Sequence, residues 1–553
     1  MIVASATFES GDRTMGRKKW LHWFVLLAVL FFLLSSCKAL NKIKKESDNH
    51  LWVVTEASCS DGMNLQAEII AERMEKEHPG LTVELDILPT DPQEREIRLK
   101  QLRTKIMAGD GPDVYLLPSG GTLTQDYRIS ESWFLRFREI SIAPLFQDVE
   151  QAMRSGLFYD IQTYYEADRT LGKDALNSQI IDAGTLGKKR YLFPLRFDIP
   201  VLLSDSDQWT SFGLDDLQMQ EDACSVVEHL LAREKGKDVS AGIQLPKDMS
   251  LLSPPFDYST EKLSADADEI ARYLRTYQKW KSAAIPSEHE IIFSAKEISN
   301  ALIPELDRDF LSAVYNKSLN QMADVNTISK YISFGVHWST LGIPLYSCSL
   351  ADSLTTLGIE KAAQAVFHRG SSIRMYPMRA ANNSVAASIT YWGAVGGSCQ
   401  DPALAYRFLR QFLSEEFQWG QYRPRVEKSF ASNCEDPQCP GQVENSWPVR
   451  TSGSAAALWD NTQYQALCLG SDLWTSGNQI SLEIQRASIT DADIPALSWD
   501  IDEVRFPVTI SGTDSLEHAL SQLNEPDGTP TDVDIDALAQ QVYQGLWWHL
   551  AEG

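Results

Sequence analysis

The chain lacks the short signatures that carry most hydrolytic and phosphate chemistry. It contains no Gly-x-Ser-x-Gly, His-Glu-x-x-His or Gly-x-x-x-x-Gly-Lys run, the spacings that expose a nucleophile, set two histidines on one helix face or cradle phosphates. Ser259-Thr260-Glu261-Lys262 fits Ser-x-x-Lys. No Lys-Thr-Gly follows it, and the one Ser-Asp-Asn, Ser47 to Asn49, lies far upstream. Histidine is scarce, with nine scattered residues and none at zinc-site spacing with cysteine, so no metal and no cofactor are expected. Positive charge is in deficit: 50 Lys and Arg face 75 Asp and Glu, a formal net charge of −25. A surface of that sign disfavours nucleic acid or any polyanion as partner and says nothing about a neutral ligand. Internal repeats and low-complexity segments are also absent.

Long apolar runs are missing except at the amino terminus. Arg17, Lys18 and Lys19 precede an apolar stretch from Trp20 to Leu34, broken by His22. Its 15 residues are fewer than the roughly 20 that a spanning helix needs but suit the core of a signal peptide. The run ends in Leu34-Ser35-Ser36-Cys37, which resembles the lipobox of bacterial lipoproteins and implies lipidation at Cys37. Residues 1–36 then form a signal peptide, with Met15 an alternative start, and 37–49 a lipidated tether. An uncleaved anchor helix is the rival reading. Either way the remainder works on the outer face of the bacterial cytoplasmic membrane. Lys38, Lys42, Lys44 and Lys45 would face anionic headgroups or act as a plain solvated tether. The first 36 residues hold four basic and two acidic side chains, so the 517 residues from Cys37 onward carry −27. That length allows two or more sizeable cores. Seven cysteines remain beside Cys37: Cys59, Cys224, Cys348, Cys399, Cys434, Cys439 and Cys468. An odd set cannot all pair within one chain; Cys434 and Cys439 could form a local bridge.

Beyond the tether, strands and helices alternate. Leu51-Trp52-Val53-Val54 reads as a buried strand. Leu65, Ile69, Ile70 and Met74 recur at helical spacing up to a stop at Pro79-Gly80. Leu81, Val83, Leu85 and Ile87 alternate as in a strand. Asp91-Pro92, with Glu94 three residues after the cap, opens a helix that ends at Gly109, and Asp113 to Leu117 is the next strand. The pattern predicts an α/β fold with a largely parallel sheet and a ligand beside the strands' carboxyl ends, here Ser58–Asp61 and Pro118–Gly121.

Four segments then resemble, in order, the family 1 extracellular solute-binding proteins, which include the sugar-binding subunits of bacterial ABC importers. The first is the opening run through His78-Pro79-Gly80 to Ala108-Gly109-Asp110-Gly111-Pro112-Asp113-Val114. The second is Gly187 to Pro194 followed by Pro200-Val201-Leu202-Leu203. The third is Ala387-Ser388-Ile389-Thr390-Tyr391-Trp392-Gly393 with Asp401 to Leu409, and the fourth is Trp447-Pro448-Val449-Arg450. Residues 205–330 match no family pattern, and residues 468–530, rich in Ser, Thr, Asp and Gly, read as a family-specific insertion. The resemblance implies a two-lobe, periplasmic-binding-protein-like fold (type II-like) with discontinuous lobes joined by two or three crossing segments: 50–196 with 392–445, and 197–391 with 446–553. It implies capture of a solute, a carbohydrate or oligosaccharide, by closure of a hinge, delivery to ABC transporter permease subunits, no catalysis, and a monomer.

Aromatic faces and hydroxyl-bonding groups near the crossings are the candidate ligand contacts. Tyr391 and Trp392 lie at the second crossing; Arg196, Phe197 and Asp198 lie at the first, where Arg and Asp could equally pair with each other. Trp338, Arg374 and Tyr376 precede the second crossing. Asp61 and Ser119 end first-lobe strands, where capping is the competing role. Tyr543, Trp547 and Trp548, near the end of a helix starting at Asp536, are expected to pack against the second lobe. Rival functions are a binding protein for a peptide or polyamine, a surface sensor of the same fold, and a secreted glycosidase with two opposed carboxylates.

Overall fold

The computed structural model of the chain describes residues 50–56, 63–128, 135–216, 221–233, 245–246, 248–257, 262–283, 346–350, 373–418, 447–451, 499–508, 510, 512–525 and 529–552. The expectations for the signal segment, Cys37, Asp61, Trp338 and the Cys434–Cys439 bridge lie outside these residues. None of the described helices is long and apolar enough to cross a membrane.

The opening alternation folds as its pattern predicts. Strand β1 (His50–Glu56) buries Leu51, Val53 and Val54. Helix α1 (Met63–Glu77) turns Ile70 and Met74 inward, and β2 (Thr82–Leu88) follows. Helix α2 (Pro92–Met107) starts where the Asp91 carboxylate accepts from the amides of Gln93 and Glu94, both at 3.0 Å. That contact satisfies two of the donors a helix leaves open at its start. β3 (Val114–Pro118) is buried throughout. A hairpin follows, β4 (Thr122–Arg128) with β5 (Leu135–Ser141), and then the short helix α3 (Val149–Arg154).

β6 (Leu192–Asp198) belongs to the same sheet, and the chain then crosses. β7 (Pro200–Asp205) stands between β8 (Tyr346–Ser349) and β9 (Ile373–Pro377) in a separate antiparallel sheet. The chain returns as β10 (Ala386–Val395), antiparallel to both β3 and β6. β11 (Trp447–Pro448) pairs with β6, and β12 (Glu503–Arg505) pairs parallel with the start of β10. The first sheet therefore runs β11-β6-β10-β3-β1-β2, with β12 beside β10. Because β10 is antiparallel to β3 and β6, those two run in the same direction as β1 and β2.

Two apolar cores result. One gathers the first sheet with α1, α2, α3 and α6 (Pro402–Leu409). The other gathers α4 (Ala223–Arg233), α5 (Ala267–Ala283), α7 (Leu516–Ser521) and α8 (Ile535–Glu552). The second sheet lies between them: Val201, Leu203 and Met375 join the first core, whereas Leu202 and Tyr376 join the second. Phe506 packs in the first core, and Val508 and Ile510 pack against the second, so the chain crosses a third time there. The architecture is α/β with two discontinuous lobes, as expected.

Two boundaries shift. The return crossing expected at 392 falls between Pro377 and Ala386, because β10 already pairs with β6 from Ser388. Trp447-Pro448, expected to enter the second lobe, pairs with Phe197 and Arg196 in the first sheet. Among the described residues both strands pair in the first sheet. The tight end of β10 depends on glycine: a Cβ on Gly396 would lie 2.0 Å from the Pro112 carbonyl oxygen.

Candidate functional site

One edge of the first sheet collects the carboxyl-terminal ends of its four parallel strands β1, β2, β3 and β6. Glu56, Leu88, Pro118 and Asp198 close β1, β2, β3 and β6 there, and β10 begins there at Ala386. The chain crosses between the lobes at this same edge. In open α/β sheets the crevice outside such ends is where ligands bind, and a crossing point adds a hinge.

Ser119 and Thr390 meet at this edge. The Ser119 amide donates to the Thr390 carbonyl at 2.8 Å, extending the β3–β10 ladder by one bond. Both side-chain hydroxyls are enclosed, and neither has a hydrogen-bond partner among the described residues. Enclosed hydroxyls are normally satisfied, so this pair is suited to bonding a polar ligand. Gly120, the next residue, has φ +83°, and a Cβ there would touch Pro507 of the third crossing.

The other sequence candidates serve different ends. Asp198 accepts the Leu350 amide at 2.9 Å, tying the first crossing to β8. Arg196 is 2% exposed and donates to the carbonyls of Gln418 (2.7 Å) and Phe417 (3.0 Å). Its charge thus meets the open carbonyls of a helical turn. The Gln418 amide in turn donates to Leu195 and Phe412 and accepts from Val449. Phe197, Tyr391 and Trp392 are buried in the first core. Trp392 is 1% exposed and packs on Phe158 (centroids 5.4 Å) and Phe146 (6.0 Å), so it offers no ring face to a ligand. Its indole N–H is enclosed without a partner among the described residues. Tyr376 is buried in the second core and donates its hydroxyl to the Glu221 carbonyl at 2.9 Å. Arg374 pairs with Asp215 on a half-exposed surface. Of the described candidates only Ser119 and Asp198 stand at the crossing edge with polar groups, and the expected aromatic platform does not form. Trp547 and Trp548, expected to pack inward, are 50% and 54% exposed.

A carboxylate group outside the sequence candidates stands near the third crossing. Burial, with the charges of Asp148 and Glu503 adding to it, pushes the Glu150 carboxyl up to about 7 against the pull of Arg154. Glu503 is held by Arg505 (2.7 Å), the Ser384 hydroxyl (3.1 Å) and Asn382 (3.4 Å). Arg505 also donates to the carbonyls of Ser250 and Leu252 in the second lobe. No pattern in the sequence marks these residues, since they meet only through the crossing.

A cavity of about 280 Å³ lies at the opposite end of the first sheet, by His50, Trp52, Lys105, Asp113 and Asp401. Trp52 is already engaged there: Lys105 Nζ sits 4.6 Å from its ring, and its N–H donates to Asp86 at 3.2 Å. The crossing edge, with unengaged hydroxyls, is the better candidate. Among the described residues no His, Cys, Asp or Glu group is arranged to hold a metal, and Cys224 and Cys399 are free thiols.

No family model matches the chain, and no curated protein matches it. The chain is similar in outline to solute-binding proteins of ABC transporters. The galacto-N-biose-/lacto-N-biose I-binding protein of Bifidobacterium longum is 12% identical, with a TM-score of 0.44 over 91% of this chain and 97% of that one. The sugar-binding protein MalE of Xanthomonas citri is 12% identical, with a TM-score of 0.44 over 91% and 98%. The substrate-binding protein Lmo0181 of Listeria monocytogenes is 12% identical, with a TM-score of 0.39 over 91% and 99%. These values describe outline alone.

Proposed function

We propose that the protein captures an extracellular solute, a carbohydrate or oligosaccharide, between its two lobes and delivers it unchanged to the permease of an ABC importer. In this reading the chain is a lipoprotein anchored through Cys37 on the outer face of the cytoplasmic membrane and acts as a monomer. The observation that carries the reading is the pair of enclosed hydroxyls of Ser119 and Thr390, set where the strand ends and the lobe crossings coincide. Such groups suit a ligand rich in hydroxyls. The four ordered segments that resemble family 1 solute-binding proteins support the importer role. A lobe that moves about three crossing segments would bind the ligand more tightly when closed, and the ligand would shift the population toward closure.

Thermal unfolding of the full chain, screened against mannobiose, lacto-N-biose, maltotriose, a tripeptide, spermidine and free amino acids, tests this. A ligand at 100 times its dissociation constant adds about 2.7 kcal/mol to the folded state. A shift with one glycan that is recovered unconsumed is the expected result. A shift only with peptide or spermidine would retire the carbohydrate reading, and consumption of the glycan would retire the binding-protein reading.

A further inference from the structure

Arg95, in the first turn of α2, and Glu56, the last residue of β1, are each 2% exposed and form a two-pronged ion pair, with Nη1–Oε2 2.7 Å and Nη2–Oε1 2.6 Å. The same guanidinium donates through Nη1 to the Pro89 carbonyl at 3.1 Å and through Nε to the Ala143 carbonyl at 2.7 Å. These partners belong to three separate segments. Glu56 ends β1, Pro89 directly follows β2, and Ala143 lies on the path from β5 to α3. Glu56 and Pro89 stand at the edge where the chain crosses between the lobes. Two turns along α2, Arg103 donates to the carbonyls of Pro144 (3.0 Å) and Leu145 (3.3 Å), so one helix face fastens the approach to Asp148 and Glu150. Beside Glu56, the Thr55 hydroxyl donates to Asn64 at 3.0 Å and fixes the start of α1 to the end of β1.

We propose that the Arg95–Glu56 pair positions the solute-binding rim of the first lobe, holding the ends of β1 and β2 and the segment before α3 in one geometry. This rests on the solute-capture reading above. Taking both charges out of water is costly, and apolar residues of similar volume often replace a buried pair without loss of stability. A pair kept for stability alone would therefore be replaceable. An apolar pair cannot supply four directed hydrogen bonds to three chain segments, which the planar fork of arginine does. Burial keeps the Glu56 carboxyl above its usual range, while the bond and charge of Arg95 pull it down.

The test uses the full chain with the double substitution Glu56→Leu/Arg95→Met, and Arg95→Lys as the conservative variant. The double variant should melt within about 2 °C of the wild type. Its amide exchange should rise at least tenfold in 88–91 and 143–148 while β3 and β10 stay protected. Arg95→Lys, which keeps the charge and loses the fork, should fall between the two. Affinity for mannobiose, read by calorimetry, should weaken at least tenfold in the double variant. Unchanged exchange in those segments of a folded variant overturns the positioning role. If the double variant does not fold, Arg95→Lys and Glu56→Gln are read in the same segments by the same criterion. A wild-type chain that binds neither mannobiose nor any other sugar overturns the carbohydrate reading instead, and the exchange result still decides whether the pair positions these loops.

Discussion

His549 Nε2 lies 3.5 Å from Asp148 Oδ2, joining the last helix of the second lobe to the residue that caps α3 in the first. Asp148 is buried, and the histidine ring stacks on Phe256 of the second lobe, with centroids 5.5 Å apart and an interplanar angle of 25°. The two lobes thus touch away from their crossing strands. Such a contact favours the conformation in which it is made over any more open one.

His549→Ala should therefore loosen the lobes. The radius of gyration from X-ray scattering should increase, and stability should fall by about 1 kcal/mol, the scale of one aromatic stack such as that on Phe256. Scattering identical to the wild type would mean that the crossing strands alone set the angle between the lobes.

Glu150 makes stability depend on pH near neutrality. Its folded-state carboxyl titrates at about 7 rather than 4.5, so the folded state holds a proton that the unfolded chain releases earlier. This contribution is complete below about pH 4.5 and is lost as pH rises through 7. Glu150→Gln should match the wild type in melting temperature at pH 5 and exceed it at pH 8. Parallel pH profiles for the two chains would show that Glu150 is not buried as described.

Ser119→Ala and Thr390→Val remove the two enclosed hydroxyls with little change in volume. Each should weaken the solute found by the unfolding screen about tenfold, the loss of roughly 1.4 kcal/mol in one hydrogen bond. Neither should lower the melting temperature of the free chain, since neither hydroxyl has a partner among the described residues. A fall in stability with unchanged affinity would place the ligand elsewhere.

Trp392 fills space between Phe146 and Phe158. Trp392→Ala should cost about 3–5 kcal/mol in denaturant unfolding, whereas Trp392→Phe should fold and bind with the wild-type dissociation constant. A large loss of affinity in a stable Trp392→Phe chain would restore the tryptophan as a ligand contact.

The first lobe was largely legible because its signals are local. Asp91 and Pro92 announce α2, the Leu65 to Met74 spacing announces α1, and the Val114 to Leu117 run is a buried strand. The site was much less legible. Which face of β10 a side chain occupies depends on register, and pairing with β6 shifts between Ile389 and Tyr391 and again between Tyr391 and Trp392. The aromatic pair Tyr391 and Trp392, expected at a crossing, is thereby packed into the core, while its neighbour Thr390 reaches the edge. Arg196 was ambiguous for a related reason: its carbonyl partners lie more than 200 residues ahead, at Phe417 and Gln418. Glu150, Glu503 and His549 carry no motif: Glu150 feels Glu503, and His549 meets Asp148, across several hundred residues of chain.

The place of β10 has a consequence in time as well as in space. β3 and β6 are not bonded to each other; both bond to β10, whose residues follow β3 by roughly 270 positions. A chain emerging from its amino terminus therefore carries the first sheet in two unjoined parts until residue 395 has appeared, and β11 and β12 add to it only after residues 448 and 505. Pairings this distant along the chain are closed late and slowly. The amino-terminal 200 residues then cannot complete their sheet early, and their unjoined strand edges are what an unfinished chain exposes to aggregation or to a chaperone.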